Sequence, residues 1–533
     1  MNGLAGTGTL LRLALRRDRI MLPAWVYVLT ASVASTAYTF GNLYDSGAAR
    51  ERFAAGMASN SSLRALYGPV FGSSIGGLTA WRMTAFGAAL AGLMSILLVV
   101  RHTRAEEEDG RLELVGAGAV GRRAPLTAAL LTALTANLLL AALVTAALTA
   151  LGHAAAGALA LGLALAACGL VFAGLAAVTA QLAETGRAAN GAASAVLGLA
   201  FVLRAAGDAS STDSGPQWLS WLSPIGWAEQ LRPFAGDRWW VLGLALGCAA
   251  ALAGAAYALV ARRDLGAGLL PQRPGPAAGV PTLRTHAALA WRLQRGTLYG
   301  WCAGFAVAGA VFGGVAKGVV ELVGDNAALK DVLRRLGGQQ AVLDAYLSSI
   351  MGLLGMIAAV YAVQAVQRLR GEETGGRAEP VLATAVSRLG WAGGHLLFPL
   401  LGSAVLLATG GLAAGLAAGA ELGELGGRVQ DLLGGALVQL PAVWLAAAAM
   451  LAIFGLLPRW TSAGWGVLAV FLVIGWLGPA LQFDRLVLDL SPFTHLPRLP
   501  GGAVEARPLL WIGAAAALLA VAGLAGLRRR DLG

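Results

Sequence analysis

The chain has 533 residues, 57% of them hydrophobic and 13% charged, which is about half the charged fraction of a soluble domain. Its mean hydropathy is +0.69. This balance excludes disorder and an ordinary water-soluble enzyme, because so much apolar surface must be buried in something other than one core. The net charge is +11, from 39 Lys+Arg against 28 Asp+Glu. Basic loops beside membrane spans account for that excess, and nucleic acid is not an expected partner.

Twelve apolar runs are expected to span a bilayer, at about 20–41, 78–100, 126–151, 155–180, 190–206, 239–261, 298–320, 346–366, 391–419, 433–457, 464–482 and 508–527. Helices are expected throughout, since the runs lack the alternation of a membrane barrel. The first run follows Arg12, Arg16, Arg17 and Arg19 and could pass for a signal peptide. It has a counterpart in the interior of the chain, so a retained helix is expected.

That counterpart belongs to an internal repeat. Arg104–Glu113 (RAEEEDGRLE) matches Arg370–Glu379 (RGEETGGRAE) at a shift of 266. Leu222-Ser-Pro-Ile225 matches Leu490-Ser-Pro-Phe493 at 268, and Arg262-Arg-Asp-Leu-Gly266 matches Arg529-Arg-Asp-Leu-Gly533 at 267. Arg16, Arg19 and Trp25 match Arg292, Arg295 and Trp301 at 276. The expected fold is therefore an all-α polytopic membrane protein of twelve transmembrane helices, built as two parallel six-helix repeats. The first unit is 1–261 and the second 285–533. A cytosolic linker, 262–284, holds Pro271, Pro274, Pro276 and Pro281.

Each repeat opens with a basic segment, 7–19 and 284–296, that suits an amphipathic helix at the membrane surface or a plain extension of the first span. Arginine placement puts both termini and the 101–123 cluster inside. Long outer segments follow at 42–77, 207–238, 321–345 and 483–507, with short helices expected around Pro224 and Pro492. Within the spans, Asn137, Gln364, Gln439 and Gln482 are expected to bond between helices, and Lys317 to reach toward an interface. Gly411, Gly415 and Gly419 form a small-residue face. Cys168, Cys248 and Cys302 lie singly in apolar runs, with no disulfide or zinc spacing.

The sharpest feature is the charged inner loop after the second span of each repeat. Glu106, Glu107, Glu108, Asp109 and Glu113 alternate with Arg104 and Arg111, and Glu372, Glu373 and Glu379 with Arg370 and Arg377. Short helices carrying both signs suit docking on a soluble partner, where complementary charge fixes register. Neither lysine completes a phosphate-binding loop, as Lys317 precedes Gly318 and Lys330 precedes Asp331. The five histidines are scattered without a catalytic pattern, so an enzyme is not expected.

The duplicated loop, the six-helix repeat, the basic opening segment and the Leu-Ser-Pro element together resemble the membrane subunits of type-2 ABC exporters. More narrowly they resemble the double-length polyketide-antibiotic (tetronasin-type) exporter permeases of actinobacteria. The resemblance covers essentially the whole chain. It implies a bacterial cytoplasmic-membrane permease, with both termini cytosolic, that exports hydrophobic or amphipathic small molecules. Loops 104–116 and 370–382 would couple it to two copies of a separate ABC-type ATPase, through Glu106, Glu107, Asp109, Arg111, Glu113, Glu372, Glu373, Arg377 and Glu379. ATP and Mg²⁺ would sit on that partner, with no cofactor or metal in this chain. Thr374 and Gly375 replace Glu108 and Asp109 in the second copy, so the two loops need not be equivalent. A central cavity would be lined by the second and fifth spans of each copy, with Met83, Phe86, Met94, Phe201, Tyr361 and Phe471 as wall residues. The alternative is a proton-driven carrier, also of two parallel six-helix halves.

Overall fold

In the computed structural model the described residues are 3–209, 216–264, 266–270, 278, 283, 285–316, 338–478 and 483–530. Lys317, Lys330, Gln482 and most of the linker lie outside them. The chain divides into two compact units, Met1–Gly275 and Pro276–Gly533. Every regular element among the described residues is helical.

The first unit begins with α1 (Thr7–Arg17) and α2 (Met21–Leu43), bent by 65° where they meet. Two short helices follow, α3 (Gly47–Ser59) and α4 (Ser61–Tyr67). Ser46 Oγ caps the first by accepting from Ala49 N, and Asn60 Oδ1 caps the second by accepting from Leu63 N. The long α5 (Ile75–Arg101) starts at the cap Ser74 and runs through the middle of the unit. It packs against α8 (Ala124–Ala150), α9 (Ala155–Leu182) and α10 (Gly186–Ala209). Between α5 and α8 lie α6 (Arg104–Glu108) and α7 (Arg111–Gly116). Beyond α10, a 3₁₀ turn (Gln217–Leu222) and α11 (Pro224–Gln230) lead to the last span, α12 (Trp240–Val260).

Small residues let these helices approach closely. Asn137 on α8 donates to Ser95 Oγ on α5 at 2.8 Å, and a Cβ on Gly169 of α9 would fall 2.0 Å from the Asn137 Oδ1. Several span hydroxyls are satisfied locally. Thr79, Thr84 and Thr132 each donate to the carbonyl four residues back, so they bring no unpaired polar group into the apolar interior.

The second unit opens with α13 (His286–Gly314), which is unbroken through the segment matching α1. Asp18, buried at the break of the first unit, is matched at the shift of 276 by Gln294, which stays helical. The amphipathic opening is therefore a separate helix in the first unit and an extension of the span in the second. Then come α14 (Gly338–Thr374) and α15 (Ala378–Leu382). α16 (Arg388–Leu397) and α17 (Ser403–Leu422) make one span through a π turn, Phe398–Gly402. Pro399 lacks the N–H that would continue the α ladder, which accounts for the widened turn. α18 (Leu425–Leu437) and α19 (Leu440–Leu456) follow, then α20 (Ala463–Leu477), α21 (Arg485–Leu488) and α22 (Ala506–Arg529). The expected glycine face is a packing seam. Cβ atoms on Gly415 and Gly419 would lie 2.6 and 2.7 Å from the Val429 and Leu425 Cα atoms of α18. Gln364 accepts from Trp301 Nε1 at 3.2 Å, tying α14 to α13.

The chain is thus an all-α polytopic membrane protein. Among the described residues ten helices are long and apolar enough to cross a bilayer, and the bent α1–α2 pair raises this to eleven. The run expected at 464–482 carries the 15-residue α20, shorter than the roughly 20 residues of a spanning helix. Residues 479–482 lie outside the described set. Short helices do begin at Pro224, where Ser223 Oγ accepts from Ile225 N, and at Pro492.

Candidate functional site

Each charged loop is built on a buried ion cluster. In the first unit Arg104 is 1% exposed and spends its whole guanidinium on the scaffold. Nε donates to the Ala180 carbonyl at 3.0 Å, Nη2 to the Ala267 carbonyl at 3.0 Å, and Nη1 to Glu107 Oε2 at 2.8 Å. Arg263, just past α12, takes the other side of the same carboxylate. Its Nη2 and Nη1 donate to Glu107 Oε1 and Oε2 at 2.5 and 2.8 Å, and its Nε donates to Gln181 Oε1 at 2.7 Å. One buried carboxylate between two arginines is strongly held, because removing it would leave two cations without a counter-charge.

The second unit repeats the arrangement residue for residue. Arg370 Nη1 reaches Glu373 Oε2 at 3.3 Å, and Arg530, just past α22, reaches the same oxygen at 2.8 Å. Arg104, Glu107 and Arg263 become Arg370, Glu373 and Arg530 at shifts of 266, 266 and 267. Two motifs that recur far apart in the chain meet in space within each unit.

The neighbouring acids are also occupied. Glu106 Oε1 accepts from Arg17 of α1 and, at 3.4 Å, from Arg111. Glu372 pairs with Arg368 Nε at 2.7 Å and with Arg377 Nε at 3.0 Å, so the Glu106–Arg111 pair is repeated as Glu372–Arg377. The turn between the short helices needs a left-handed residue in both units, supplied by Gly110 (φ 69°) and Gly376 (φ 65°).

The two copies differ where their sequences do. Glu108 Oε2 accepts from Gly186 N at the start of α10 at 2.9 Å, whereas Thr374 Oγ1 turns back to the Arg370 carbonyl. Asp109 is half exposed beside Arg111, whereas at Gly375 the Arg377 guanidinium folds to 2.6 Å from where a Cβ would stand.

The nine loop residues expected to meet a partner therefore separate into two groups. Glu106, Glu107, Glu372 and Glu373 face their own unit and hold the loop in place. Asp109, Arg111, Glu113, Arg377 and Glu379 are exposed, and Leu114 beside them is 80% exposed. The positioning arginines Arg17, Arg263 and Arg530 were not singled out from the sequence. For the last two the signal was present, since each stands in a repeated Arg-Arg-Asp-Leu-Gly element.

The expected wall residues also separate. Met94 and Tyr361 are 1% and 2% exposed and belong to the apolar cores of their own units. Phe86 and Phe201 meet with ring centroids 5.7 Å apart. Met83 accepts from Thr36 Oγ1 on α2, and Phe471 lies half-buried with its carbonyl accepting from Ser491. Among the described residues no group of three or more His, Cys, Asp or Glu is placed to hold a metal ion.

Comparison with known proteins identifies the family. The family model of the multidrug efflux system permease Rv1217c, C-terminal domain, matches residues 8–261 and 283–528. The multidrug efflux system permease protein Rv1217c of Mycobacterium tuberculosis is 46% identical over 533 residues, covering 100% of this chain and 96% of the relative.

Proposed function

The chain belongs to the family of the multidrug efflux system permease Rv1217c, and from that premise we propose that it is the membrane subunit of a type-2 ABC exporter of hydrophobic or amphipathic small molecules. It is a permease, a transporter component rather than an enzyme. On this reading it resides in the bacterial cytoplasmic membrane with both termini in the cytosol. Its cargo is of the kind carried by polyketide-antibiotic exporters. The ATP and Mg²⁺ belong to two copies of a separate ATPase subunit.

One observation carries this reading. Each unit secures a charged loop by burying its inner acid between two arginines and leaves a short row of charge exposed at the tip. A loop that only joined two spans would need no such anchorage. A loop that receives a push must be stiff where it meets its scaffold and complementary where it meets its partner. The ATPase can drive transport only by binding one conformation of the permease better than another.

The test is co-expression of the full chain with the ABC ATPase encoded nearest to it. Asp109→Lys and Glu113→Lys are combined with Glu379→Lys. The expected result is loss of co-purifying ATPase and of ATP-dependent efflux, with an unchanged melting temperature. Retained association and efflux would overturn the assignment. So would efflux that persists without ATP and collapses with an uncoupler, which identifies a proton-driven carrier.

A further inference from the structure

At the end of the first unit remote from its charged loop, three ionisable side chains are buried together. Arg204 and Asp208 stand one turn apart on α10, and Glu229 projects from α11. Their side chains are 0%, 5% and 5% exposed. Arg204 Nη1 lies 3.3 Å from Glu229 Oε1 and 3.6 Å from Asp208 Oδ2. Its Nη2 donates to the Leu66 carbonyl at 3.2 Å, and its guanidinium covers the Phe201 ring at 4.6 Å.

The site is tightly closed. Gly68 (φ 91°) places its backbone so that a Cβ would meet Glu229 Oε1 at 2.6 Å. Gly207 and Gly226 bring α10 and α11 onto Ser220, where added Cβ atoms would lie 2.5 and 2.0 Å from its backbone. The Gly68 amide that could have served Glu229 donates instead to the Arg64 carbonyl.

Two carboxyl groups and one guanidinium do not balance in a buried site. Neither Glu229 oxygen makes a hydrogen bond, nor does Asp208 Oδ2, and Arg204 Nε and Nη1 beside them are unpartnered too, so the guanidinium is close to both acids without being aligned to either. Yet both carboxyls approach one guanidinium nitrogen, Arg204 Nη1, at 3.3 and 3.6 Å, which brings them side by side. Two carboxylates cannot bond to one another, because each only accepts. A single proton bound by the pair brings the cluster to zero charge and turns one acceptor-only group into a donor.

We propose that Asp208 and Glu229 bind one proton between them, and that this proton latches α11 and the 3₁₀ turn before it, together the hairpin of residues 216–231, to the end of α10. Burial drives the Glu229 carboxyl well above the ordinary carboxyl range, against the pull of Arg204. The other charged and titratable groups on the surrounding elements are engaged elsewhere. Arg64 donates to the Asp208 and Ala209 carbonyls, Arg82 covers the Tyr67 ring, and Arg232 covers the Phe71 ring. The cluster is not repeated at the matching positions of the second unit, where Leu472, Trp476 and Pro497 stand at a shift of 268. The latch is therefore a property of one half only.

The sign follows from linkage. A carboxyl raised in the closed hairpin and ordinary in the open one favours closure at low pH, and closure weakens as pH climbs toward the raised value. Between those limits the opening equilibrium rises by about tenfold per pH unit for one proton released.

The experiment uses the full chain in lipid nanodiscs, with infrared detection of protonated carboxyl and hydrogen exchange of residues 216–231. The wild type is expected to show a buried protonated-carboxyl band at neutral pH. Glu229→Gln and Asp208→Asn should each abolish it, because either leaves one acid to pair with Arg204 at zero net charge. Hydrogen exchange, corrected for its intrinsic pH dependence, should steepen with pH in the wild type and stay flat in Glu229→Gln. A band that survives in either amide variant would overturn the proposal. So would its absence from the wild type, or hairpin exchange in Glu229→Gln that follows the wild-type pH dependence.

Discussion

Arg263 reaches back over 156 positions to grip both oxygens of Glu107, at 2.5 and 2.8 Å. A residue just past the last span of the first unit thus fixes the loop in its middle, and Arg530 does the same for Glu373 in the second. The repeated unit is closed on itself by this contact. A load applied to the loop reaches α9 through the Arg104 bond to Ala180 and reaches the chain beyond α12 through Arg263.

This closure has a measurable cost when broken. Glu107→Ala leaves Arg104 and Arg263 buried without a counter-ion, and should destabilise the protein by about 3–5 kcal/mol. The readout is the melting temperature in detergent, together with protease cleavage inside 104–116. Glu113→Ala, at the exposed tip, should leave both unchanged. Equal effects of the two substitutions would contradict the division between bracing and exposed acids.

The π turn of the second unit makes a second prediction. A Cβ on Gly402 would fall 2.3 Å from the Tyr361 hydroxyl oxygen. Gly402→Ala should cost about 1–3 kcal/mol through overpacking. Adding Tyr361→Phe removes the colliding atom, so the double variant should recover most of that loss in thermal denaturation. A strictly additive pair would show that the clash is relieved by other means.

The glycine seam between α17 and α18 gives a third. Gly415→Leu must push Val429 Cα away from a position 2.6 Å from the new Cβ. The hairpin should part, and a cysteine pair placed across the seam should lose its crosslink. Gly426→Ala, whose Cβ would meet nothing within 4 Å, is the matched control and should crosslink as the parent does.

The fourth concerns Asn137. Its bond to Ser95 is interhelical and buried in the first unit. Ser95→Ala should cost about 0.6 kcal/mol, the usual scale for such bonds in membranes. Asn137→Leu should cost considerably more, because a tetrahedral isobutyl group must fit against Gly169 where the flat amide now packs. Denaturant titration of the two variants distinguishes a packing site from a polar one.

The spans were legible because lipid imposes a single rule on every apolar run, and helices follow from it whatever the detailed sequence. Recurrence also identified the loops, since Arg104, Glu106, Glu107, Arg111 and Glu113 recur at one shift as Arg370, Glu372, Glu373, Arg377 and Glu379. The facing of those charges was not legible. Glu107 and Asp109 are two positions apart and alike in chemistry, and only Arg263, brought in from the far end of the unit, makes one of them interior. The break after α1 was hidden for the same reason. It rests on Asp18, whose partner His102 lies 2.5 Å away in space and 84 residues away in sequence. The Arg204–Asp208–Glu229 cluster draws its members from a span and from the hairpin beyond it. Met94 and Tyr361 look like any apolar span residues until their neighbours are known.

Residues 266–270 do not leave the first unit at once. Leu269 and Leu270 donate to the Gln181 and Leu182 carbonyls, and the Ala267 carbonyl accepts from both Arg104 and Arg263. Anyone severing this gene into two separately produced halves should therefore cut downstream of Leu270. A cut at the last apolar residue of α12 would discard the strap and Arg263 with it, and the amino-terminal fragment would emerge with its principal fastening missing.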